Sequence, residues 1–201
     1  MIAHLFFDIG GVLGTNGWGS AERGRAVERF RLDGPDFDRR HREVVGPWEE
    51  GRLTLDEYLD STVFCGPRQF SREEFTAFMI AQSAPYPEVI AIARSLAATG
   101  RYRLMTVNNE SAELNGHRIR SFGLAPVFAG FYSSCWLGVT KPARRIYELA
   151  LAISQADPER TVLVDDREQN LAPARALGIH GLRFTTAEAL RRDLATIGVS
   201  A

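Results

Sequence analysis

The chain has 201 residues, 45% apolar and 24% charged, with a formal net charge of −1. That length suffices for one good core plus a small insertion, and the charge balance gives no basic excess for nucleic acid and no like-charged tail. No apolar stretch approaches the roughly 20 residues a membrane span needs, which excludes a membrane partner on this reading. The N-terminus has no basic region followed by a long apolar one, and Cys65 and Cys135 match no metal or redox spacing. A cytoplasmic location is therefore the expectation.

The first predicted element is a buried strand beginning at His4. Its apolar run breaks at Asp8, and Gly10 and Gly11 follow before apolar character resumes at Val12 and Leu13. A carboxylate at the end of a buried strand needs a partner, and glycine there leaves room for close approach to the backbone. Gly14 to Gly19 then reads as a flexible connection. It is no P-loop, because Ser20 stands where the lysine belongs, and its glycines do not fall at the offsets of a dinucleotide fingerprint.

From Ser20 to about Gln82 the pattern is helical. Helices are predicted over 21–32 and 36–45, and two more begin at the capping boxes Thr54/Glu57 and Ser71/Glu74. Phe75, Phe78 and Met79 share one face, as core residues do. Arg23, Arg39, Arg40 and Arg42 are expected on a solvated face, whereas Trp18 and Trp48-Glu49-Glu50 are candidates to face a crevice. Ser83 to Pro87 is a second connection, so the helical stretch sits between two linkers, as a hinged lid would.

Beyond Pro87 helices and strands alternate. Strands are expected over 104–107, 127–132, 161–164 and 181–184, and helices over 88–98, 110–122, 141–153, 168–177 and 186–197, with Pro142 suited to a first helical position. Such alternation predicts an α/β fold with a doubly wound parallel sheet. The expected division is a core of residues 1–15 and 86–201 and an inserted helical-bundle cap of residues 16–85.

The loops after parallel strands share one edge of the sheet, where ligands of open α/β folds bind. Asp8, Asn108-Asn109 and Asp165-Asp166 all follow strands. Carboxylates brought that close need a cation between them, and oxygen donors in this number favour a hard ion such as Mg²⁺. Lys141 offers the charge that a phosphate group requires. Singly, each has a plainer reading: a helix cap for Asp165-Asp166, a turn for Asn108-Asn109, a surface lysine for Lys141.

Together these residues resemble the haloacid-dehalogenase-like (HAD) hydrolase superfamily. Phe7-Asp8-Ile9-Gly10-Gly11-Val12-Leu13, Asn108, Lys141-Pro142 and Val164-Asp165-Asp166 with Asn170 are similar, in order and spacing, to its four motifs. The closer likeness is to the branch of small sugar-phosphate phosphatases and the phosphatase domain of soluble epoxide hydrolases. The resemblance implies a Rossmann-like core and a Mg²⁺-dependent phosphatase acting on a small phosphorylated metabolite through an aspartyl-phosphate. Asp8 and Lys141 would then be catalytic; Asp8, the Gly10 carbonyl, Asp165 and Asp166 would hold or neighbour the metal. Gly10, Gly11, Asn108, Asn109 and Lys141 would bind the phosphoryl group.

Two positions depart from the family pattern. Gly10 stands where an aspartate general acid is usual, and Val107 where a serine or threonine binds phosphate. His41, Glu49 and Glu50 are candidates to replace the missing acid. The departures keep two alternatives open, a metal-free 2-haloacid dehalogenase and a protein that binds a phosphorylated ligand without turning it over. Oligomeric state is not legible in the sequence.

Overall fold

A computed structural model describes residues 1–201. Five strands, β1 (His4–Phe7), β2 (Arg103–Asn108), β3 (Gly130–Ser133), β4 (Thr161–Asp165) and β5 (His180–Arg183), form one sheet in the order β3-β2-β1-β4-β5. Every neighbouring pair is parallel. This is the α/β sheet that the alternation predicts. Alternate residues of β1 point to opposite faces, and the two faces have separate cores. Leu5 and Phe7 pack with Leu104, Val162 and Val164 beneath helices α5 (Pro87–Ala98) and α10 (Ala187–Thr196). Phe6 packs with Met105, Val107 and Leu163 beneath α8 (Arg144–Ser154) and α9 (Glu168–Arg175).

Between β1 and α5 stand four further helices: α1 (Ser20–Phe30), α2 (Gly34–Glu49), α3 (Leu55–Thr62) and α4 (Arg72–Ala81). Both capping boxes are formed, Thr54 with Glu57 and Ser71 with Glu74. These helices have a third core built on Trp18, Phe37, Trp48, Tyr58 and Phe75, which Leu114 of α6 (Ala112–Ser121) joins from the sheet side. No helix is long and apolar enough to cross a membrane.

The two connections to this helical insert are tied to each other. Thr15 N–H donates to the Ala84 carbonyl at 2.9 Å, Ala84 N–H to Thr15 Oγ1 at 3.0 Å, and Tyr86 N–H to the Leu13 carbonyl at 2.8 Å. The guanidinium of Arg118, only 1% exposed, reaches both, donating to the Asn16 carbonyl and to Ser83 Oγ. Its charge is balanced by Glu110 at 3.2 Å.

Four elements differ from their sequence expectation, the first being β3, which starts at Gly130 because the Val127 and Phe128 N–H groups turn back onto the Leu124 carbonyl. Helix α2 runs on to Glu49, through Pro47, because Trp48 is stacked on Tyr58 of α3 at 4.0 Å between ring centroids; that packing outweighs the one hydrogen bond proline removes. Lys141-Pro142 lies in a turn closed by Ala143 N–H on the Thr140 carbonyl, and α8 starts only at Arg144. A short helix not foreseen at all, α7 (Ser134–Leu137), follows β3.

Helix α7 receives the insert. Ser134 Oγ donates to the Glu49 carbonyl at 2.6 Å, and Gly51, at φ +70°, lies so close to the Cys135 carbonyl that a side chain there would collide with it. Gly138 has the same left-handed backbone, at φ +69°, in open space. Gly138→Ala should therefore cost only the left-handed strain, roughly 1–2 kcal/mol. Gly51→Ala should cost measurably more in urea unfolding, because the backbone contact must also open.

Candidate active site

The C-terminal ends of β1, β2 and β4 bring the sequence-selected residues to one edge. Asp8 follows β1 and is buried; its Oδ1 accepts from Ile9 N–H at 2.8 Å. Lys141 Nζ stands between two carboxylates, 2.9 Å from Asp8 Oδ2 and 2.6 Å from Asp165 Oδ2. Burial works against the ammonium, but Asp8 and Asp165 together hold its pKa above the ordinary lysine value. Burial also raises the Asp8 carboxyl above its usual range; Asp165 and Asp166 add to that rise, and Lys141 opposes it.

Asp165 has no free oxygen. Its Oδ1 accepts from Arg167 N–H at 2.9 Å and Asn170 Nδ2 at 3.0 Å, and its Oδ2 from Lys141 and again Asn170. Asp166 is the reverse: its Oδ1 is buried and has no partner. Burial, then the Asp165 charge, raises its pKa. Carboxylate oxygens of Asp8, Asp165 and Asp166 all lie within 4.8 Å of one another. Three carboxylates around one ammonium, with a buried acceptor left over, make an oxygen-only set short of positive charge. Such a set fits a hard divalent cation.

Glycine is required beside it. Gly11 has φ +76°, and a Cβ there would sit 2.5 Å from Asp166 Oδ2. The two asparagines do different work. Asn109 brackets Lys141, accepting its backbone N–H at 2.7 Å and donating to its carbonyl at 2.9 Å. Asn108 is buried with its amide committed to Asn115 Oδ1 and its carbonyl to Ser133 Oγ. The Asn108 side chain therefore points into the fold, and Asn109, not Asn108, lines the cleft. Val107 belongs to the core beneath α8, and Thr106 is fully buried.

Over this edge the insert closes a cleft of about 310 Å³ that Asp8, Gly10, Asn109 and Lys141 line from below. Trp18, Arg23, His41, Trp48 and Glu49 line it from the insert, and only three of its eighteen lining residues are apolar. Trp18 and Trp48 both line the crevice, although Trp48 is also packed in the core of the insert, against Tyr58. Arg39 and Arg40 lie outside, paired with Asp36, but Arg23 departs from the expected solvated face. It lines the cleft and donates to the Trp18 carbonyl at 2.9 Å. Arg23 Nε and Trp48 Nε1 are buried without a hydrogen-bond partner. Arg118 and Glu110 also line the cleft. Sequence reasoning passed over them because their pairing with each other and with residues 16 and 83 bridges distant segments.

The profile of the haloacid dehalogenase-like hydrolases matches residues 2–178. Among characterised proteins the chain is 27% identical to bifunctional epoxide hydrolase 2 of Sus scrofa, with 94% of this chain aligned to 37% of that one. It is 25% identical to D-ribitol-5-phosphate phosphatase of Bacteroides thetaiotaomicron, over 98% of both chains. The chain spans about a third of the length of the epoxide hydrolases it matches. Among solved structures, a HAD-family enzyme of Bacteroides thetaiotaomicron superposes with a TM-score of 0.79 at 18% identity, covering 92% of this chain and 94% of its own. A magnesium and inorganic phosphate complex of that enzyme superposes at 0.73 with 21% identity, covering 92% and 95%. At such identities these structures speak for the fold.

Removing the ammonium while keeping its stem should leave two buried carboxylates facing each other. Lys141→Met is expected to lower the unfolding free energy by roughly 3–5 kcal/mol in urea titrations with chelator present, since breaking a buried pair leaves uncompensated charge.

Proposed function

The chain belongs to the haloacid dehalogenase-like hydrolases, and within that family we propose that it is a Mg²⁺-dependent phosphatase of a small phosphorylated metabolite. The observation that carries this reading is the pairing of Lys141-bridged Asp8 with the unpartnered buried oxygen of Asp166. The first would be a nucleophile held beside a positive charge; the second would be an oxygen free to ligate the ion. The relative named D-ribitol-5-phosphate phosphatase, aligned along its whole length, supports a phosphorylated metabolite, and the magnesium and phosphate complex of a similar fold supports the ion.

On this reading Asp8, the Gly10 carbonyl and Asp166 hold the ion. Asp165, saturated by protein donors, positions Lys141 and Asn170 instead of ligating. Bound Mg²⁺ would supply charge neutralisation between the anionic phosphoryl group and the carboxylates. An Asp8 oxygen attacks phosphorus, the bond from phosphorus to the leaving oxygen breaks, and the phosphoryl group is carried on Asp8 until water displaces it. Lys141 offsets the negative charge that nucleophile and phosphate bring together, and backbone N–H groups beyond Gly10 and Asn108 face the equatorial oxygens. The polar cleft, with only three apolar residues among its eighteen, suits an oxygen-rich substrate such as a sugar or polyol phosphate. It does not suit the small apolar acid that a 2-haloacid dehalogenase must accommodate.

The purified protein should release phosphate from 4-nitrophenyl phosphate with Mg²⁺ and stop when the ion is chelated. Asp8→Asn should reduce turnover on the order of 10³-fold or more, as loss of a nucleophile does. Halide release from a 2-chloro acid without metal, or phosphate release undiminished in Asp8→Asn, would overturn the reading. Gly11→Ala, which pushes on the Asp166 carboxylate, should raise the Mg²⁺ concentration needed for half-maximal activity.

A further inference from the structure

A phosphate ester of an alcohol leaves as an alkoxide unless a proton reaches the departing oxygen, and Asp8 cannot supply it while attacking. The residue two positions on, Gly10, has no side chain. The space beside it is occupied: Arg118 Nη1 lies 3.5 Å from where a Cβ would stand, and a guanidinium does not give up its proton at neutral pH. The donor has to come from elsewhere in the cleft.

Besides Asp8 and Lys141, whose ammonium is held between Asp8 and Asp165, the acid–base groups lining the cleft are His41, Glu49 and Glu110. Glu110 is engaged at both oxygens, with Ser111 N–H on Oε1 at 3.1 Å and Arg118 on Oε2. His41 has Nδ1 against the Tyr58 hydroxyl at 2.9 Å, and burial, then Arg23, pushes its pKa down to about 4. It is neutral at physiological pH. Glu50, the other sequence candidate, is absent from the lining and pairs with Arg52 at 2.6 Å. Glu49 differs from all of these. Its carboxyl has no hydrogen-bond partner in the protein, yet its backbone is pinned over the site by Ser134 and by the Gly51 approach to Cys135.

We propose that Glu49 is the general acid and base of this cleft, protonating the leaving oxygen and then activating the water. In the first step Asp8 bonds to phosphorus, the phosphorus–oxygen bond breaks, and the Glu49 proton passes to that oxygen, so the product departs as an alcohol. In the second, the Glu49 carboxylate takes a proton from water as its oxygen bonds to phosphorus, and Asp8 and inorganic phosphate are freed. The surroundings suit the role. Burial, then the charge of Glu110, pushes the Glu49 carboxyl up to about 7; Asp8 acts in the same direction, while Arg167 and Lys141 act against it. A carboxyl so placed exists in both protonation states near neutral pH, as an acid that must later serve as a base requires.

The inference rests on the phosphatase reading, and dependence on the leaving group tests it separately. An alkyl phosphate needs the proton; 4-nitrophenyl phosphate, with its good leaving group, needs it far less. In Glu49→Gln, kcat with Mg²⁺ on glycerol 3-phosphate or a polyol phosphate should fall by about 10²–10⁴-fold, and on 4-nitrophenyl phosphate by a much smaller factor. Glu49→Asp should recover part of the alkyl-phosphate rate. Equal losses on both substrate types overturn the assignment, as would a purely structural role, and so does no loss. A wild type active only on the aryl ester also overturns it while leaving the phosphatase standing. A wild type that releases phosphate from none of these overturns both.

Discussion

One ammonium group organises this protein. Lys141 Nζ is held within hydrogen-bonding distance of two buried carboxylates that arrive on different strands, Asp8 at 2.9 Å and Asp165 at 2.6 Å. Without it the edge of the sheet would concentrate negative charge in a region of low polarisability, where like charges repel strongly. With it, three carboxylates still share one ammonium, and the buried Asp166 Oδ1 has no protein partner. The surrounding hydrogen bonds make sense as devices for holding Lys141 still. Asn109 fixes its backbone on both sides, and Asn170 and the Arg167 N–H fix the Asp165 carboxylate it leans on.

What the sequence made legible, and what it concealed, follow from the range of the interactions concerned. The strand after which Asp8 stands, the acidic pair at 165–166 and the capping boxes at Thr54 and Ser71 are written in consecutive residues, and each appears in the structure where periodicity and spacing put it. Helix α2 beyond Val45 depends on Trp48 meeting Tyr58, and nothing within the helix announces that stacking. Arg23 sits in a run that looks solvated, and only its place against the Trp18 carbonyl turns it inward. Asn108 looked like a phosphate ligand by position. Its partners Asn115 and Ser133 lie on other elements, and they claim its amide. Helix α7 is four residues long, too short for any periodicity to declare, although the insert docks upon it.

The division of labour between sheet and insert is chemical as well as structural. The sheet edge supplies the fixed charged groups: Asp8, its ammonium partner Lys141 and the acidic pair at 165–166. The insert supplies the opposite wall of the cleft. It is lined by two tryptophans, an arginine and a histidine held neutral by burial. Glu49 is the one carboxyl of the insert that lines the cleft, so the insert also brings a titratable group to the sheet edge.

The paired connections give that arrangement a particular topology. Because Thr15 is hydrogen-bonded to Ala84 and Leu13 to Tyr86, the polypeptide departs from the sheet and returns to it at a single point, across which Arg118 is stretched. The excursion of some seventy residues is thereby a closed side-branch, and its length is almost free thermodynamically, since closure entropy grows only as the logarithm of loop size. A branch attached in this manner can change in length at little entropic cost as long as the contacts that dock it, Ser134 on Glu49 and Gly51 against Cys135, are kept. The sheet is in that sense indifferent to how much chain the branch holds, and sensitive to where it is tied.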